Sequence, residues 1–94
     1  MSLQKLIKNP ATRFVDVRSE QEFNSGHYPG AVNIPLQEIQ QHTDELKKLN
    51  VPIVLYCRSG ARSYNALQIL KQLGFSDVHN AGGLQDLMML KNLN

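Results

Sequence analysis

The sequence predicts an α/β fold in which a parallel sheet of four to five strands lies between two layers of helices. Short apolar runs alternate with segments whose apolar residues recur every three or four positions, the pattern of strands alternating with helices. Parallel neighbours need crossover connections, and the intervening helices supply them on both faces of the sheet. A length of 94 residues with 41% hydrophobic content suits one compact domain over residues 1–94.

The chain begins with a predicted helix followed by a strand. Apolar residues within 3–7 are spaced three and four apart, and Pro10 ends this helix. Residues 14–17 form an apolar strand that Asp16 interrupts. A buried charge needs partners, so we expect Asp16 to accept hydrogen bonds that tie neighbouring loops together. The alternative is a catalytic acid.

A capping box marks the start of the next helix. Ser19 and Glu22 are three residues apart, as the box requires, and Gly26 ends the helix after about two turns. Arg18 stands four residues before Glu22, a spacing that also allows these two side chains to form an ion pair.

The rest of the chain continues the alternation. Residues 31–34 predict a second strand, and the apolar spacing within 36–49 predicts a helix that frays near Gln41-His42. Residues 53–56 predict a strand buried on both faces. The remaining predictions are a helix over 66–73 ended by Gly74, a strand from Val78 to Gly83, and a last helix over 84–88.

Charge and cysteine content narrow the functional classes. The net charge of +2 and the lack of an aromatic-interleaved basic patch argue against nucleic-acid binding. Leu46 to Ser76 holds five cations and no carboxylate, which favours an anionic substrate. One cysteine excludes an internal disulfide, and no stretch is long enough to cross a membrane. We expect a cytoplasmic protein, or a periplasmic one if a leader has been removed. The histidines lack metal-ligand spacing, so no metal is expected.

The candidate site is the junction at Cys57, where a strand ends and a helix soon begins. Backbone N–H groups of a small-residue loop and the dipole of the following helix favour an anion there, so the expected species is a thiolate. A cysteine used only for packing is the alternative. The loop residues expected to bind substrate are Arg58, Ser59, Gly60, Ala61, Arg62 and Ser63.

The loop resembles that of the rhodanese family, whose single-domain members carry C-R-x-G-x-[RT]. Cys57, Arg58, Gly60 and Arg62 match this motif. Residues 14–35 resemble the family's amino-terminal signature, and residues 80–84 its closing glycine pair. The absence of a tryptophan after that pair is similar to the short phage shock protein E type of the family. This resemblance implies a three-layer α/β/α rhodanese-like domain, usually of five strands, from which a short leading strand is missing here.

The resemblance also implies a sulfurtransferase that works without a cofactor. Cys57 would take a sulfane sulfur from a small anionic donor such as thiosulfate, hold it as a persulfide, and pass it to a thiol or cyanide-type acceptor. A thioredoxin-like protein is one candidate acceptor. Asp16, Arg18, Glu22 and His27 are expected to be structural residues around the site, and His27 is expected to fix the turn before Pro29-Gly30. A Cys-His dyad is the alternative for His27, although rhodanese chemistry uses no histidine base.

Two other functional classes are also compatible with the sequence. A cysteine followed by an arginine on an anion-binding loop also describes Cys-dependent phosphatases and arsenate reductases. The spacing here is C-x-x-x-x-R from Cys57 to Arg62, whereas tyrosine-phosphatase-type enzymes have one more residue between the two. The other class is a non-catalytic rhodanese-like sulfur carrier or binding module, but such copies commonly lack the cysteine.

Overall fold

In the computed structural model, which describes residues 2–93, strands and helices alternate along the chain. The strands are β1 (Arg13–Asp16), β2 (Val32–Asn33), β3 (Ile53–Cys57) and β4 (Val78–Gly83). The α-helices are α1 (Leu3–Lys8), α2 (Glu20–Asn24), α3 (Thr43–Leu49), α4 (Ala61–Gln72) and α5 (Leu84–Asn92). A 3₁₀-helix spans Leu36–His42.

The strands form one parallel sheet in the order β2-β1-β3-β4, which confirms the predicted α/β class. From β1 the chain moves outward to β2 and then crosses back to β3 on the other side of β1. The carboxyl ends of β1 and β3 therefore flank a topological switch point, the place where open parallel sheets bind ligands. Asp16 pairs with Tyr56 in the register of these strands, so Cys57 lies at this point.

Helices cover both faces of the sheet because its central strands are apolar on both sides. All five residues of β3 are buried, as predicted for a strand in the middle of an α/β sheet. Leu55 and Cys57 pack in a core with Leu46 of α3 and Leu70 of α4. On the opposite face, the neighbouring residues of β3 pack in a second core with Leu6, Leu87 and Tyr28. The arrangement is the expected three-layer α/β/α.

A buried hydrogen bond ties the loop after α2 to the central strand. The Tyr56 hydroxyl accepts the backbone N–H of Tyr28 at 2.9 Å, and both side chains are almost fully buried. Burial raises the pKa of the Tyr56 phenol, so this hydroxyl stays neutral.

The segment before β3 differs from its prediction as one α-helix over 36–49. Its first half is the 3₁₀-helix, and regular α structure begins only at Thr43, next to the predicted fraying point. Leu36 and Ile39 are three residues apart, which suits the three-residue turn of a 3₁₀-helix, and only Ile39 is buried in this half. The prediction of a continuous α-helix was therefore wrong. Ile39 and Leu46 of the predicted apolar face are buried, whereas Leu49 is exposed.

Most other ends lie close to their predicted positions, but α4 begins at Ala61 instead of residue 66 and α5 continues to Asn92 instead of residue 88. The capping box of α2 is present, since Ser19 Oγ accepts the N–H of Glu22 and the Glu22 carboxylate accepts the N–H of Ser19. Gly74, with a φ of +96°, follows the end of α4. Within residues 2–93 helix α1, not a strand, precedes β1. No helix of this described region is long and apolar enough to span a membrane.

Candidate active site

Cys57 is the last residue of β3, and its sulfur lies inside the turn that leads into α4. The residue is free and fully buried. The backbone N–H of Gly60 donates to Sγ at 2.9 Å, and the Ser63 hydroxyl lies 3.4 Å from Sγ. Gly60 has a φ of +102°, a conformation that glycine adopts without strain, and it is the N-cap residue of α4. The loop thus wraps around one sulfur atom.

Two opposing effects set the ionisation of this sulfur. Burial on its own raises the pKa of the Cys57 thiol. The Ser63 hydroxyl lowers this pKa, as do the N–H groups of Ser63, Gly60 and Ser59, because all of these hydrogen bonds favour the thiolate. The net result is a pKa below that of an ordinary cysteine. Cys57 is therefore suited to act as a nucleophile.

We expect the thiolate of Cys57 to form at a lower pH in the folded protein than in the same chain unfolded in guanidinium. Because the folded-state pKa is lowered, thiolate absorbance should rise at lower pH, and Ser63→Ala should move the rise back toward the unfolded chain. The measurement is ultraviolet absorbance against pH, with Cys57→Ser as the blank. A folded midpoint at or above the unfolded one would contradict the role of the loop donors.

The end of β4 packs directly against the cysteine loop. A Cβ placed on Gly83 would lie 2.5 Å from the carbonyl oxygen of Arg58, and one on Gly60 would lie 3.3 Å from Cα of Gly82. Just before this contact the pairing of β3 with β4 shifts register, so that Leu55 pairs with Asn80 and Tyr56 with Gly82. The glycine pair lets the two backbone segments touch, so it positions the loop.

Arg62 is held by Glu22 in a two-pronged ion pair. Its Nη1 and Nη2 atoms donate to the two carboxylate oxygens at 2.7 and 3.0 Å. These bonds, together with those from Ser19, lower the pKa of Glu22 to about 2. The Arg18–Glu22 pair allowed by the sequence spacing is not the one that forms. Arg62, which is expected to bind substrate, joins the first turn of α4 to α2 through this ion pair.

A second, buried ion pair lies at the carboxyl end of β1. Arg18 donates to the Asp16 carboxylate through Nε at 3.0 Å and through Nη2 at 2.7 Å, and Nη2 also donates to the Gly26 carbonyl at 2.7 Å. Asp16 is 0% exposed, and it also accepts the backbone N–H of Arg18. These contacts agree with the expectation that Asp16 accepts hydrogen bonds that tie neighbouring loops together. In all of these contacts the Asp16 carboxylate is a hydrogen-bond acceptor.

Arg58 differs from Arg18 and Arg62 because it is exposed and has no ion-pair partner within residues 2–93. The cation-rich half of the sequence therefore does not form one positive patch. Arg62 is paired, and Lys47 lies over the ring of Phe75, away from Cys57 in the fold. Arg58, which directly follows Cys57 in the chain, is thus a cation without a carboxylate partner among the described residues.

The remaining candidates are placed as follows. Ser59 is an exposed loop residue, Ala61 is the exposed first residue of α4, and Ser63 is buried next to the sulfur. His27 stacks on Phe23 at 3.7 Å, and its Nδ1 lies 3.0 Å from the Phe23 carbonyl oxygen. The contacts of His27 thus belong to the end of α2, whereas those of Cys57 belong to its own loop. No cluster of three or more potential metal ligands occurs in the part of the chain that the structure describes.

Sequence reasoning missed a polar cleft of about 410 Å³ at this edge of the sheet, which we call the α2–α5 cleft. It is lined by Arg18, Glu22, Ser25, Arg58, Leu84 and Gln85. Ser25 and Gln85 carry no sequence signal, because exposed serine and glutamine are ordinary surface residues. Only their position after α2 and after the glycine pair brings them beside the cysteine loop.

Comparisons with known proteins agree with this geometry. Residues 2–88 match the family described as the rhodanese-like domain. The chain is 37% identical to the thiosulfate sulfurtransferase PspE of Escherichia coli (strain K12), over 86% of this chain and 79% of that protein. It is 31% identical to the thiosulfate:glutathione sulfurtransferase of Homo sapiens, over 86% and 82% of the respective chains. A solved rhodanese with anions from E. coli superposes with a TM-score of 0.74 and 36% identity, over 80% of this chain and 89% of that one.

Proposed function

Because this chain belongs to the rhodanese family of sulfurtransferases, we propose that it moves a sulfane sulfur from thiosulfate or a related donor to a thiophilic acceptor through a persulfide on Cys57. One observation carries the proposal. The sulfur of the lone cysteine accepts hydrogen bonds from its own loop at the start of a helix, an arrangement that favours a thiolate.

The donor step follows from these contacts. The Cys57 thiolate attacks the outer sulfur of thiosulfate, a bond forms between the two sulfurs, and the bond to the sulfonate sulfur breaks. Sulfite leaves with that bonding pair, and the persulfide keeps one negative charge, so charge and atoms balance. Loop N–H groups stabilise the anionic sulfur, and Arg58 attracts the dianionic donor and the departing sulfite.

Replacing Arg58 and replacing Arg62 are expected to change kcat/KM in different ways. Arg58→Ala should lower kcat/KM for thiosulfate about tenfold more than for a neutral organic persulfide, because it removes an unpaired charge. Arg62→Ala should lower kcat/KM for the two donors to the same extent, since Arg62 acts by joining α4 to α2. Steady-state kinetics with both donors measures the difference.

Glu22→Gln is the matched control for this comparison. It should reproduce the effect of Arg62→Ala, and the double variant should be no worse than the more damaged single variant, because both changes break one interaction. A loss confined to thiosulfate in Arg62→Ala would show instead that this side chain contacts the donor.

Phosphatase chemistry is disfavoured by the same ion pair. A phosphoryl group needs donors for three oxygens, but Arg62 is already bound to Glu22 and the loop is one residue short of the phosphatase spacing. We expect thiocyanate formation from thiosulfate and cyanide, and negligible hydrolysis of p-nitrophenyl phosphate by the same preparation. Rapid phosphate release without thiocyanate would overturn the proposal, and the lack of both activities would favour a binding module.

A further inference from the structure

We propose that the α2–α5 cleft binds the carboxylate of a small organic thiol that accepts the sulfur, an inference that rests on the sulfur transfer proposed above. The position of the cleft is the first reason. Arg58, which follows the nucleophile directly in the chain, lines the cleft together with Leu84 and Gln85 at the start of α5. A ligand in the cleft would thus lie beside the cysteine loop.

The charges around the cleft favour an anionic ligand. The carboxylate of Glu22 is already bound by Arg62 and Ser19, so it does not neutralise the other groups. Arg58 has no ion-pair partner within residues 2–93 and contributes a full positive charge. Arg18 is paired with Asp16 through Nε and Nη2, and its Nη1 has no hydrogen-bond partner in that same range. One charge and two further N–H donors are therefore available.

The size of the cleft indicates a ligand larger than the donor. Thiosulfate has five heavy atoms and occupies roughly 100 Å³ if each is given somewhat less than the volume of a water molecule. The cleft measures about 410 Å³, within the range of small-molecule sites. Cyanide would leave it almost empty and offers no carboxylate. Ser25 and Gln85 add neutral hydrogen-bonding groups, which suit the polar backbone of a small thiol.

The transfer step needs no further reactant. The acceptor thiolate attacks the outer sulfur of the Cys57 persulfide, a bond forms between these two atoms, and the bond from Sγ to the outer sulfur breaks. Cys57 leaves as a thiolate with that bonding pair, stabilised by Gly60 and Ser63. The proton that the acceptor thiol gives up ends on the outer sulfur, the negative charge of the persulfide leaves with the Cys57 thiolate, and the product is the persulfide of the acceptor.

The experiment compares two thiols that differ mainly in charge, 3-mercaptopropionate and 3-mercapto-1-propanol. The protein is loaded with a polysulfide, the mass gain of one sulfur is verified, and the rate of discharge by each thiol is measured. We expect the carboxylate thiol to react faster with the unaltered protein. The ratio of the two rate constants should fall about tenfold in Arg58→Gln and about threefold in Gln85→Glu.

Gln68→Glu is the matched control, since it adds the same charge to an exposed glutamine of α4 on the opposite face of the sheet. The ratio of the rate constants for the two thiols in Gln68→Glu should equal the ratio in the unaltered protein. Loaded protein that both thiols discharge without discrimination, or an equal fall in Gln68→Glu and Gln85→Glu, overturns the acceptor assignment and leaves the sulfur transfer intact. A Cys57 that cannot be loaded with sulfur overturns both proposals.

Discussion

Cys57→Ser should reduce thiocyanate formation at least about a thousandfold, because a serine hydroxyl is a poor nucleophile toward sulfur at neutral pH. The fold should survive. The serine oxygen can accept the same N–H of Gly60 and the same hydroxyl contact of Ser63. We therefore expect a stability change of about 1 kcal/mol, or less than about 8 °C in the melting temperature of a chain this small.

Turnover, mass spectrometry after thiosulfate treatment and thermal unfolding should be measured on one preparation. The unaltered protein should gain one sulfur atom and the variant none. Retained turnover would place the nucleophile outside the loop. A large loss of melting temperature would mean that Cys57, which is fully buried, serves mainly in packing.

Gly83→Ala should impair both activity and stability, although Gly83 contacts no substrate in the proposed mechanism. Its φ of −89° is open to any residue, so the effect is steric: the new Cβ would lie 2.5 Å from the Arg58 carbonyl oxygen. Loop and strand must separate by nearly 1 Å to reach an ordinary carbon–oxygen contact of about 3.3 Å. Such a displacement can lower activity about a hundredfold, and overpacking costs about 1–3 kcal/mol.

Gly30→Ala separates this steric effect from simple loss of a glycine. Gly30 has a φ of +82° and open space around it, so alanine there meets backbone strain of about 1–2 kcal/mol but no clash. Its sulfur transfer should stay near that of the unaltered protein while its melting temperature falls. If Gly83→Ala keeps full activity, the contact with β4 does not determine the position of the loop.

Most of the fold could be predicted because it follows from local patterns. The continuous apolar run at 53–56 and the periodic apolar residues after it define β3 and α4 well. The capping box identifies the start of α2, since both of its hydrogen bonds join residues three apart. The 3₁₀-helix at Leu36–His42 was missed because residues spaced three apart fit either helix type.

The site was predictable only where its chemistry lies within one stretch of chain. The loop from Cys57 to Ser63 is such a stretch. The ion pair between Arg62 and Glu22 could not be predicted in this way, because the two residues are 40 positions apart in the chain. Arg18, which is nearer to Glu22 in the sequence, is bound to Asp16. The contact of Gly83 with the Arg58 carbonyl likewise depends on how β4 lies against β3. The glycine pair is visible in the sequence, but the reason why glycine is required there can be seen only from the close packing of the two backbone segments.

The strand order also bears on how the protein resists self-association. β1 and β3, the strands with the largest buried fraction, occupy the centre of the sheet, where both of their edges are paired. One outer edge is β2, which is only two residues long. The other is β4, which carries two glycines, a histidine and an asparagine, and whose pairing is interrupted by a register shift. Short or irregular edges are poor templates for adding a foreign strand. The segments most prone to amyloid-like stacking are therefore shielded from the strands of other molecules for as long as the sheet is intact.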